Sequence, residues 1–194
     1  MNMQQKGFTL IELLIVVAIV AILAVVVVLT LNPAQLLKQS RDSTRISDLS
    51  TLKGAISLYL ADGQTTLPST SNCYAHASSS VSSSSCTAGS NPARFAVAGT
   101  WATISLTNAT GTGWLPINFT LISSGSPLSA EPIDPVNNNT NFYAYRTGAN
   151  STFELNADME STKYSNGQSN DVESTDGGDN PNLYEVGTAP GLNL

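Results

Sequence analysis

Three groups of residues in this 194-residue chain are of types that could do chemistry. Glu12 is the sole charge inside an apolar run, residues 8–31, whose other polar positions are Thr9 and Thr30. A carboxylate in hydrocarbon costs on the order of 2.5 to 3.5 kcal/mol even on a lenient insertion scale. Burial of Glu12 among packed apolar helices therefore requires a cation to neutralise it. Cys73 and Cys86, with His76 between them, could form one disulfide, or could hold zinc as two thiolates with the imidazole. Asp158, Asp176 and Asp179 stand in an acidic tail among Gly, Ser and Asn, where several carboxylates could wrap a calcium ion with oxygen ligands. No fourth zinc ligand is evident and the acidic spacing is not that of an EF-hand, so a disulfide and a solvated acidic loop are the simpler readings.

The elements that must position these groups follow from hydropathy and punctuation. As a helix, the 24 residues of 8–31 reach roughly 36 Å, enough to cross a bilayer core of about 30 Å. The run is too long for the apolar core of a secretory signal peptide, and Asn32-Pro33-Ala34 is a poor small-x-small cleavage site. A plain single-pass anchor fits the length but gives Glu12 no reason to be there.

The stretch Gly7-Phe8-Thr9-Leu10-Ile11-Glu12, followed by Leu13, Leu14, Ile15 and Val16 and preceded by a short polar leader ending in Lys6-Gly7, resembles the type IV prepilins and pseudopilins. The resemblance implies a leader of residues 1–7, cut between Gly7 and Phe8 by the prepilin peptidase, which also N-methylates Phe8. It implies that the apolar helix survives cleavage, and that Glu12 pairs with the new terminal amine of a neighbouring copy and so sets register, as isolated polar groups do in coiled coils. The expected protein is a structural subunit, not an enzyme. It is a single-pass inner-membrane protein that an assembly platform and its ATPase extrude into a homo-oligomeric helical filament outside the cell. The alternative within the resemblance is a low-copy minor pilin or pseudopilin with a tip, priming, adhesion, DNA-uptake or secretion role.

After Pro33 the chain carries neither Gly nor Pro until Gly54, so a helix is expected to continue through residues 32–62, kinked or locally melted at Pro33. Ile46, Leu49, Lys53, Ile56 and Leu60, widened by Leu52 and Tyr59, form one stripe for burial. Arg41, Asp42, Arg45 and Asp48 fall mostly on the opposite side, and Asp62-Gly63 is a stop signal. Residues 63–92 are Ser-rich and read as a surface connection pinned by the cysteines. Strand candidates follow at 93–97, 101–106, 117–122, 142–146 and 152–155, separated by turn-forming clusters, which favours an antiparallel sheet in residues 93–157 over βαβ units. Residues 158–194 form an acidic, loop-rich end. The fold class is α+β: a long N-terminal helix, membrane-spanning in its first half and amphipathic in its second, whose stripe a small antiparallel sheet covers.

Charge narrows the partners. Through Leu60 there are five basic and three acidic residues; from Ala61 onward there are three and eleven, which argues against nucleic acid as the main partner. The count of Lys6 before the apolar run against Lys38, Arg41 and Arg45 after it mildly opposes a cytoplasmic leader, whereas the site of the peptidase and the paired cysteines favour one. Asn108, Asn118, Asn138 and Asn150 are formal sequons in an Asn- and Thr-rich chain. Catalysis has little basis: His76 is the sole histidine, and neither a nucleophile motif nor a phosphate-binding glycine loop is present.

Overall fold

The computed structural model describes residues 7–65, 67–76, 85–87 and 93–194. The leader before Gly7 and about half of the serine-rich connection, residues 66, 77–84 and 88–92, lie outside the described residues. The chain divides into two compact units, Met1–Leu37 and Lys38–Leu194.

In the first unit, α1 (Leu10–Leu31) starts at the N-cap Thr9 and ends at Asn32, whose backbone is left-handed with φ 41°. A second helix, α2 (Pro33–Ala61), begins at once. The expected interruption at Pro33 is thus realised one residue earlier. A proline disfavours helical geometry in the residue before it, and asparagine tolerates the left-handed region. The same asparagine opens α2: its carbonyl accepts the Gln35 and Leu36 amides, and its side-chain oxygen lies 3.4 Å from the Gln35 amide. Pro33 sits at the first helical position, where a missing N–H costs nothing.

The second unit is built on the face of α2 formed by Asp42, Arg45, Leu49, Leu52, Ala55, Ile56 and Tyr59, all buried. Leu49, Leu52, Ile56 and Tyr59 belong to the expected stripe, but Lys53 is exposed, and Asp42 and Arg45, expected outside, continue the buried line. Charge had suggested the solvent side; paired burial reverses that assignment. Arg45 is fully buried, with Nη1 2.7 Å from Asp42, Nε 2.6 Å from Asp134 and Nη2 2.5 Å from Glu160. Asp42 also accepts the Glu160 and Ser161 amides, and Asp134 accepts those of Val136 and Asn137. One turn on, the Tyr143 hydroxyl donates to Asp48 at 2.7 Å. These bonds tie α2 to two distant loops, alongside the packing of its apolar stripe on the sheet.

The sheet has five strands in the order β2-β1-β3-β4-β5, with β1 Asn72–His76, β2 Thr100–Ile104, β3 Ala144–Thr147, β4 Phe153–Ala157 and β5 Tyr184–Gly187. It is antiparallel except for the parallel β1–β2 pair. Three strand candidates match β2, β3 and β4. Residues 93–97 contribute only a bridge from Phe95 to Thr87, and 117–122 holds the 3-10 turn Phe119–Leu121, which buries Phe119 in the core. Two strands fall where none was expected: β1 inside the stretch read as a surface connection, and β5 inside the acidic tail.

Because strand side chains alternate, the sheet has a core on each face. Tyr74, Tyr145, Phe153, Leu155 and Ala157 join the α2 stripe, Trp114 and Phe119. Cys73, Ala75 and Ala144 join Phe95, Phe142 and Cys86 beneath the segment that follows the disulfide.

Candidate processing and assembly site

Gly7, Phe8 and Thr9 precede α1 outside any helix or strand and are exposed, Phe8 to 92%. A Cβ built on Gly7 meets nothing within 4 Å, so packing within the chain does not require glycine there. Thr9 and Glu12 form a reciprocal capping box. The Thr9 amide and hydroxyl each donate to Glu12 Oε2 at 2.8 Å, and the Glu12 amide donates to Thr9 Oγ1 at 3.3 Å. Two orphan donors of the helix start are thereby satisfied, and the carboxylate lies at the positive end of the helix. Among the described residues no hydrogen bond reaches Glu12 Oε1. Thr9 is the functional partner that sequence reasoning passed over. The pattern Thr-x-x-Glu before an apolar run is its signal.

Along α1 every described side chain is exposed, from Leu10 at 81% to Leu31 at 59%. Thr30 hides its hydroxyl by donating to the Val26 and Val27 carbonyls. Among the described residues one helix, near the N-terminus, is long and apolar enough to cross a membrane.

The other expected sites resolve differently. Cys73 and Cys86 are joined in a disulfide, Cα to Cα 6.4 Å, so no thiolates remain for zinc. His76 instead bonds the Ser105 carbonyl and the Asn137 side chain, each at 3.0 Å. Asp158, Asp176 and Asp179 are not brought together: among the described residues no three His, Cys, Asp or Glu side chains gather as metal ligands do. Asp176 accepts the Gly178 and Glu185 amides, and Asp171 caps its own loop by accepting from Gly167, Glu173 and Ser174. Burial pushes the Asp158 carboxyl up, against the pull of Arg94 and Arg45.

Comparison with known proteins adds one finding. Residues 2–28 match the family model of the prokaryotic N-terminal methylation motif. This is a type IV prepilin-like class III signal peptide. No curated protein and no solved structure matches the chain. The prepilin-like signal spans the Gly7–Phe8 bond, the capping box and most of α1, and with that helix it points to membrane anchoring.

Proposed function

We propose that this chain is a structural subunit of a type IV pilus or a related filament, anchored in the inner membrane, cut between Gly7 and Phe8, N-methylated on Phe8 and assembled outside the cell through α1. The observation that carries this reading is the methylation motif at residues 2–28. The geometry around it is compatible with each step. An exposed peptide bond outside any helix or strand is open to a peptidase, and a glycine that no neighbour requires suits an enzyme that must approach the backbone closely. A helix apolar on all sides must be covered by lipid or by protein. In the filament, neighbouring copies of α1 replace the lipid, and the Phe8 ammonium of one copy reaches Oε1 of Glu12 in the next. Thr9 stays bonded to Oε2, so the carboxylate is satisfied in the membrane before a partner arrives and neutralised afterwards. The motif marks structural filament proteins, which leaves the body to form the filament surface.

The test is expression in a host with a prepilin peptidase and a pilus machine, followed by mass spectrometry of membranes and sheared filaments. An N-terminal peptide beginning at N-methylated Phe8 and copies along the whole filament are expected. An uncut chain confined to the membrane would overturn the reading, and a few copies at the tip would make it a minor subunit. Glu12→Gln is expected to be cut and inserted yet missing from filaments.

A further inference from the structure

We propose that Glu154 of β4 and Glu185 of β5 share one proton across the seam between these strands, and that this proton latches the edge strand β5 to the sheet. In the β4–β5 register Asn156 stands opposite Glu185 and Glu154 opposite Gly187, so the three polar side chains occupy one face as close diagonal neighbours. None is more than 1% exposed. Glu154 Oε2 accepts the Leu194 amide at 3.1 Å and Oε1 the Asn156 amide group at 3.2 Å, while Glu185 Oε2 accepts the Asn180 amide at 3.0 Å. At that diagonal spacing the two long carboxyl side chains are within reach of one another. With both ionised, Glu185 Oε1 has no donor among the described residues. A proton on Glu154 supplies it and turns a repulsive contact into a bond.

Among the described residues no cation hydrogen-bonds to either carboxyl group, and only the attraction between Arg146 and Glu154 offsets the repulsion. Arg146 stands directly opposite Glu154 on β3, but its guanidinium donates to the carbonyls of Thr70, Val97 and Ala98. Arg94, whose carbonyl accepts from Asn156, stacks over Phe142 at 4.2 Å and donates to the Thr140 carbonyl. From the loop before β5, Asp176 and Asp179 add negative potential at Glu185. Lys53 of α2 lines the same cleft as Glu185 and Asp176 but is itself exposed. Burial and the Glu185 charge push the Glu154 carboxyl up, and burial pushes that of Glu185 up. Both are held above the ordinary 4.5, so the stability the pair contributes is complete below 4.5 and declines as pH rises, and the bond itself is lost when the last proton leaves. The seam it guards is short: β5 has four residues and pairs on one side only.

The test is thermal unfolding of the full chain in detergent micelles with EDTA, from pH 5.5 to 9.5, for the wild type and Glu185→Gln, whose amide is a permanent donor to Glu154. The wild-type midpoint is expected to fall over this range and the variant's to fall several degrees less, making the variant the more stable at pH 9.5. Parallel curves would overturn the latch. So would a wild type that calcium stabilises at pH 9, reversibly with EDTA, because a metal ion would then hold the pair. Glu131, pushed up to about 8 by burial, contributes equally to both curves. Should the variant not fold, carboxyl-carbon NMR of 13C-glutamate in the wild type decides. A Glu154 carbon still in its protonated position at neutral pH supports the shared proton, and two carbons titrating in the ordinary carboxylate range refute it.

Discussion

At the scale of single residues, two charges turn what would be liabilities into specific contacts. Glu12 relies on Thr9, and Thr9→Val removes the hydroxyl while keeping the shape. The first turn of α1 is expected to lose about 1 kcal/mol, read as faster amide exchange at residues 11–13 in micelles, with insertion unchanged. Unchanged exchange would mean the capping box contributes nothing there. Arg45 is the other case. Arg45→Met leaves Asp42 and Asp134 buried without their cation, and removing one partner of a buried pair costs about 3–5 kcal/mol. The urea midpoint of the body should drop accordingly, whereas Lys53→Met on the exposed side of the same helix should leave it within about 0.5 kcal/mol. Glu12 was legible because a lone charge in an apolar run has few explanations. Asp42 and Arg45 were not, because their partners, Asp134 and Glu160, lie far away in sequence and only the fold brings them close.

At the scale of elements, hydropathy located both helices, and three strands stood out as short runs between clusters of turn-forming residues. The sequence of β1, Asn-Cys-Tyr-Ala-His, contains no β-branched residue, yet it is central in the sheet and covered on both faces. Its place is fixed from outside, by Tyr145 and Arg146 on one side, Trp101 and Ala102 on the other, and the bond from Cys73 to Cys86. Reducing that disulfide should therefore disturb a central strand as well as freeing a loop. The expected loss is about 3 kcal/mol in the chain-entropy treatment, measured as the urea midpoint with and without reductant. A midpoint that reductant does not move would show that β1 is held by its neighbours alone. The break between α1 and α2 makes a separate prediction. With Asn32→Leu and Pro33→Ala together, the left-handed residue and the missing donor both disappear, and slow amide exchange should run unbroken across residues 31–36.

At the scale of the whole molecule, two sets of carboxyl groups pull stability in opposite directions with pH. Arg41, with help from Arg45, holds Glu160 down at about 2, so its contribution is complete above 4.5 and is lost as pH falls through about 2. Glu131, Glu154 and Glu185 are held up, so theirs is complete below 4.5 and declines as pH rises above it. The melting temperature of the full chain should therefore peak in mild acid, close to pH 5, and fall on both sides; a maximum above pH 7 would contradict this balance. The Arg45 cluster also sets a timetable. Its helix leaves the ribosome early, but Asp134 follows Arg45 by 89 residues, and Glu160 follows Arg41 by 119. At a synthesis rate of about 5–20 residues per second, that is a wait on the order of ten seconds. Throughout it, α1 can already be seated in lipid while the inner face of α2 has no body to join. The body therefore closes as a late event, gated by the arrival of Asp134 and Glu160.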